Sequence, residues 1–278
     1  MPRLFIYSTL IMLFFLFGKQ KDKWHNLFNG KNLNGWNSYL NYETDSLGKP
    51  LSSRPIGLNK DPHKVFSVVS EDDQPAIRVS GKIWGALATQ NEFSNYHLQL
   101  QFKWGSSDTW GVKRGKKKDS GLLYHGIGEF GENKEPWLKS QEFQIEEGNT
   151  GDYWGVAGAG IEINVTNTGD RNYIFDPTGV ATIFSKSSPI GRYCKKRFDA
   201  EYASGEWNTL DLYCLEGVSV HVVNKKTVMV LRNSFHEEDG VKKPLISGKL
   251  QLQSEGAELF FRNIRIKPIS KIPPEILQ

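Results

Sequence analysis

The sequence predicts an all-β protein, an antiparallel β-sandwich of the jelly-roll type. Three observations predict it. Segments that alternate apolar and polar residues with a period of two recur along the chain, Gly, Asn, Asp and Pro punctuate them, and no sustained helical period lies between them. Many short strands without intervening helices pair antiparallel and bury their apolar faces against each other.

The chain begins with a short basic start, Met1-Pro2-Arg3, followed by an almost wholly apolar stretch from Leu4 to Phe17 and a polar turn from Gly18. That length suits an export signal and is short for a membrane span. Residues 1–18 are therefore expected to be an export signal or an uncleaved N-terminal anchor, placing the protein in the periplasm or outside the cell. Leu27–Trp36 is a turn-rich opening with an Asn-Gly pair and a Trp anchor. Asn41–Lys64 carries three prolines and reads as a long ordered surface loop. His97–Trp104 puts Leu98, Leu100, Phe102 and Trp104 on one face, with His97, Gln99, Gln101 and Lys103 on the other. Further strands are expected over 121–126, 141–146, 160–165, 210–215, 219–224, 249–253 and 259–267, the last closing the fold beside the opening strand. His221, facing the same way as Ser219 and Val223, is expected to be structural, and Arg262 to pair with a carboxylate of a neighbouring strand. No internal repeat or low-complexity linker divides the chain, so one domain over 24–270 is the expected count.

Composition excludes some functions. The net charge of +4 is small and the basic residues are dispersed, which argues against nucleic acid. The single basic run, Lys113–Lys118, sits among Gly, Ser and Asp and reads as a solvated loop. The 8 Trp, 10 Tyr and 16 Phe are frequent enough to fill a core and also to stack on sugar rings. The two cysteines, Cys194 and Cys214, could pair in an oxidising compartment, and spacing alone leaves that open.

The most informative stretch is Ser140–Gly148. In a strand, Phe143 and Ile145 point one way while Glu142, Gln144 and Glu146 form a row on the other face. Adjacent carboxylates repel, so such a row is either a solvated face or the floor of a site. Gln251, Gln253 and Glu255 form a second polar row. Trp154 is expected in a flexible, Gly-flanked loop just after the Glu142 strand, where a sugar-stacking ring would be placed.

Taken in order, Leu27–Trp36, Asp119–His125, Glu142-Phe143-Gln144, Gly205–Asn208 and Phe261–Ile266 resemble the 3-keto-disaccharide hydrolase domain family. The resemblance implies a concanavalin A-like jelly roll and an exported enzyme that cleaves glycosides already oxidised to a ketone at C3, as a hydrolase, lyase or hydratase. A C3 ketone acidifies the C2 proton; a base removes it and the C1 oxygen leaves. Such a site needs a base, an electrophile at the ketone oxygen and an acid at the leaving oxygen. His125 and Glu142 are the candidate catalytic residues. Lys103 is placed to stabilise an enolate oxygen, with Tyr124, Gln144, Glu146, Trp154, Gln253 and Glu255 as substrate-binding candidates. His125 with Glu142 and Glu146 could also hold Mn²⁺ or Ca²⁺, although the spacing does not demand a metal. Two other functions fit the same fold: a sugar-binding module without catalysis, and a laminarinase-type glycosidase. The latter uses Glu-x-Asp-x-Glu, whereas this chain has Gln144 at the middle position.

Overall fold

A computed structural model describes residues 23–45, 47–132 and 135–278. The export segment expected over 1–18 lies outside these residues. The described chain is a sandwich of two antiparallel sheets, with two short 3₁₀ turns, Gly111–Lys113 and Pro274–Ile276, as its helical content. Among the described residues no helix is long and apolar enough to cross a membrane.

Strands are labelled in chain order. The smaller sheet runs β14 (Tyr193–Cys194), β10 (Tyr153–Val156), β9 (Lys139–Glu146), β8 (Asp119–Ile127), β19 (Lys249–Ser254), β6 (Gly85–Thr89), β2 (Trp36–Leu40) and β3 (Gly57–Leu58). The larger runs β12 (Tyr173–Phe175), β11 (Ala159–Asn167), β17 (Lys226–Glu238), β16 (Val218–Val223), β15 (Asn208–Leu215), β7 (Tyr96–Trp104), β20 (Leu259–Pro268), β5 (Gln74–Val79) and β4 (Phe66–Glu71). At its margins β1 (His25–Asn26) pairs with β20, β13 (Val180–Phe184) with β11, and β18 (Val241–Pro244) with β17. First and last strands thus share a ladder, with His25 opposite Ile266.

Period-two alternation builds the core. Leu98, Leu100, Phe102 and Trp104 of β7 meet Leu122 and Tyr124 of β8, Phe143 and Ile145 of β9, and Leu250 and Leu252 of β19. Each fully buried Leu, Ile or Phe contributes about 1.5–3 kcal/mol. A second cluster gathers Ile161, Ile163, Val220, Val222 and Met229, and the C-terminal tail covers it through Ile272.

Four local expectations change. The stretch 41–64 is not wholly irregular: it contains β3 and a Thr44–Pro50 bridge. Among the described residues Arg262 pairs with no carboxylate; its Nε donates to Gln101 Oε1 at 2.9 Å and its guanidinium lies 3.8 Å from the Trp207 ring. Cys194 and Cys214 are separate buried thiols in different core clusters. Trp154 belongs to a strand, β10, not to a loop.

Candidate active site

Because Phe143 and Ile145 are drawn into the core, β9 must present Glu142, Gln144 and Glu146 away from it. The same rule applied to its neighbours assembles a cavity of about 280 Å³ on the outer face of the smaller sheet. Leu122 and Tyr124 face the core, so Asp119 and Gly121 of β8 face the cavity. Leu250 and Leu252 do the same for Gln253 and Glu255 at the end of β19. Trp154 of β10 stands directly across the ladder from Glu142, and Trp137 closes the cavity with its Nε1 donating to Gly85 O at 3.0 Å.

Gly121 makes the floor. A Cβ there would lie 2.4 Å from Glu142 Oε1 and 2.9 Å from Gln253 Oε1, so its absence leaves room for both groups over one point. Gln253 Oε1 is buried and has no hydrogen-bond partner among the described residues, an acceptor aimed at whatever donor enters. Its backbone is ordinary β, so Gly121→Ala is expected to fold. The displaced Glu142 carboxyl should lower turnover about 10²-fold, measured by steady-state kinetics beside an unchanged melting temperature.

The electrostatics are set by crowding. Among the described residues six carboxyl groups (Asp119, Glu135, Glu142, Glu146, Asp152 and Glu255) share the cavity with two cations, Lys113 and Arg192. Burial first, then Glu255 and Asp119, push the Glu142 carboxyl well above the usual carboxylate range. Burial and the Asp119 charge raise Glu255 to about 8. Asp119 rises to about 6, burial being offset by Lys113. Burial works against the Lys113 ammonium, but Glu255 and Asp119 outweigh it and hold it up at about 12. Lys113 Nζ pairs with Asp119 Oδ2 and lies 3.3 Å from Glu255 Oε1. Gln144 Nε2 donates to Asp119 Oδ1 at 2.9 Å, and Asn149 Nδ2 donates to Glu146. Asp152 accepts from Tyr193 OH at 2.5 Å and from Lys196 N at 3.0 Å. Arg192 donates to Gly155 O at 3.0 Å and lies 5.3 Å from the Trp154 ring, fixing that indole's outer face.

Of the residues singled out from sequence, Glu142, Gln144, Glu146, Trp154, Gln253 and Glu255 converge here. Three do not. His125 is buried in the core, its Nδ1 3.1 Å from Leu245 O and its ring edge-on to Tyr96 and Tyr124. The cause is a bulge: the β8–β9 register shifts between Tyr124 and Ile127, and His125 takes φ 55°, which removes it from the alternation. Burial lowers its pKa to about 4, so it stays neutral. Tyr124 faces the core, its hydroxyl 2.9 Å from Ser219 Oγ. Lys103 lies on the outer face of the other sheet, bound to Glu71 and to Asp72 at 2.8 Å. A His125–Glu142–Glu146 cation site is therefore not assembled. Among the described residues no group of three His, Cys, Asp or Glu side chains is placed to hold a metal ion.

Sequence reasoning passed over Lys113, Asp119, Trp137, Asp152, Arg192 and Tyr193. Lys113 heads the basic run read as a solvated loop, yet the Gly111–Lys113 turn directs it inward. Asp119 was legible: four residues before Leu123, it shares that residue's face.

The model of the 3-keto-alpha-glucoside-1,2-lyase-like domain matches residues 23–267. No curated protein sequence matches the chain. Among solved structures, two from Parabacteroides distasonis ATCC 8503, each named "putative glycosyl hydrolase", resemble it. One has 18% identity over 89% of this chain and 94% of its own, with a TM-score of 0.46. The other has 19% identity over 89% and 100%, with a TM-score of 0.49. A carbohydrate-binding module from Bacillus subtilis has 9% identity over 73% of this chain and 91% of its own, with a TM-score of 0.41. Matched over 245 of its 278 residues, from the opening strand to the closing one, the chain belongs to the 3-keto-alpha-glucoside-1,2-lyase-like domain family.

Proposed function

We propose that the protein is a carbohydrate-active enzyme that cleaves glycosides bearing a C3 ketone, by removing the C2 proton and expelling the C1 oxygen. The observation that carries this reading is Glu142: a buried acid whose pKa is pushed well above the usual carboxylate range, set over a glycine gap and beside a tryptophan. A protonated carboxyl is the group needed at a leaving oxygen. Asp119, at about 6, is ionised at neutral pH and close enough to it to be an effective base. In this reading Asp119 takes the C2 proton, the electron pair forms the C1–C2 double bond, and the C1–O bond breaks. Glu142 gives its proton to the departing oxygen. The products are the aglycone alcohol and a 1,2-unsaturated 3-keto sugar, and water adding across that double bond makes the net reaction a hydrolysis. Lys113, not Lys103, supplies the cation for negative charge on the ketone oxygen. Trp154 and Trp137 offer flat faces to the sugar ring. Trp154→Ala is expected to raise KM about tenfold with little change in kcat, the loss of one stacking contact of about 1.4 kcal/mol.

The test is turnover of a 3-keto-glucoside in deuterated water with no nicotinamide added, followed by NMR. Deuterium is expected at C2 of the hydrated product, or loss of the C2 hydrogen in the unsaturated one. Product retaining the original C2 hydrogen would refute the elimination.

One observation favours a second reading. Asp119 contacts Gln144 from the neighbouring strand, so a carboxylate stands beside the position where a Glu-x-Asp-x-Glu glycosidase has its middle acid. Cleavage of unoxidised β-glucan by the wild-type protein would select that reading instead.

A further inference from the structure

A second cavity, of about 190 Å³, opens beside the first. Two pieces of wall serve both. Trp84, lining the second cavity, stacks on Trp137, lining the first, with ring centroids 5.6 Å apart. The 3₁₀ turn presents Gly111 and Val112 to the second cavity and Lys113 to the first. The two spaces are therefore neighbouring rooms on one face of the protein.

Their chemistry differs. The first is lined by carboxyl groups. The second is lined by Tyr42, Pro50, Trp84, Trp110 and Val112, and Lys82 is the single charged side chain lining it among the described residues. Even that ammonium is turned over an aromatic face, 5.0 Å from the Trp110 ring. Two loops build the space, and they are held against each other: Gly48, at φ 82°, comes so near Val112 that a Cβ would lie 2.2 Å from its Cγ1. These same loops carry Leu47, Leu51, Trp110 and Val112, all exposed. Large apolar side chains kept in water on the loops that wall a cavity mark a binding surface.

We propose that this cavity receives the aglycone of the glycoside whose sugar ring occupies the Glu142 cleft, and that it selects aglycones carrying an apolar ring. The assignment rests on the function proposed above. A second pyranose would need several convergent polar groups for its hydroxyls. The polar side-chain groups lining it are those of Asn41, Thr44 and Lys82, the Tyr42 hydroxyl and two indole N–H groups, against three aromatic rings and two aliphatic groups.

The experiment compares methyl and phenyl 3-keto-glucosides on the wild type and on Trp110→Ala. Truncating the indole should raise KM for the phenyl glycoside about tenfold and leave the methyl glycoside within about twofold. Equal effects on both, or no effect on either, would overturn the proposal. So would a tenfold effect confined to a 3-keto-disaccharide. Calorimetric binding of unoxidised phenyl and methyl glucosides separates this inference from the catalytic one. A phenyl preference that Trp110→Ala removes supports the cavity even if no 3-keto-glycoside is turned over, and binding without such a preference refutes it. Val112→Arg, a change at an exposed position that fills the same space, repeats the test if the Trp110 variant is unstable.

Discussion

Glu142→Gln is expected to fold normally and to lose turnover of a 3-keto-glucoside by about 10²–10⁴-fold, the range that one general acid–base group supplies. The substitution is nearly isosteric. Since burial and the neighbouring carboxyl groups push the Glu142 pKa upward, the amide also resembles the neutral form they favour. What it cannot do is release a proton. Sugar affinity should therefore survive while kcat falls, and a parallel loss of both would show that Glu142 binds substrate without exchanging a proton. His125 offers the control. His125→Gln should alter thermal stability, because the ring fills core beside Tyr96 and Tyr124, and should leave the pH dependence of kcat unchanged. A pH profile that loses a limb in this variant would return the histidine to the chemistry.

The second large effect is on stability. Glu255 has its pKa raised in the fold to about 8, from the usual range near 4.5, chiefly by burial. Below about pH 4.5 the carboxyl is protonated in both the folded and unfolded chains, and its contribution is fully present. As pH rises towards 8 the unfolded chain releases the proton while the fold holds it, so stability falls across that window. Asp119, raised to about 6, and Glu142 act in the same direction. Glu255→Gln removes one source of this loss. Thermal melts should show the variant close to wild type at pH 4 and several degrees more stable at pH 9, at about 2–4 °C per kcal/mol for a domain of this size. A difference of the same size at both pH values would mean that the carboxyl titrates as it does in the unfolded chain. The crowding of buried carboxyl groups in the cavity thus costs the fold stability as pH rises.

The fold was legible because a strand writes its two faces into sequence with a period of two. Phe143 and Ile145 announce which side of β9 is buried, and Glu142, Gln144 and Glu146 follow on the other. The same arithmetic covers Gln253 and Glu255. It fails at His125, where one left-handed residue in a bulge inserts an extra step, and a bulge leaves no mark in composition when the residue is not glycine. It also fails at Lys103. Alternation establishes that Lys103 points away from the core, but a sandwich has two outer faces, and only the strand order decides which one bears the site. Lys113, Asp152, Arg192 and Tyr193 come from turns, a loop and an edge strand whose positions depend on long-range packing. Their chemistry is visible in the sequence; their meeting point is not.

The order of strands in the smaller sheet has a consequence for how the protein is made. β8 and β9 form an antiparallel hairpin that can close locally, but the other neighbour of β8 is β19, and the Ser120 hydroxyl reaches a Gln253 carbonyl 133 residues further along the chain. Loop closure over that distance is entropically costly, and long-range pairing is slow. Half of the floor, Gln253 and Glu255, is therefore delivered after nearly everything between has found its place. The cavity is thus expected to be completed late in folding, and a nascent chain cut short before residue 249 carries Glu142 without Gln253 and Glu255 beside it.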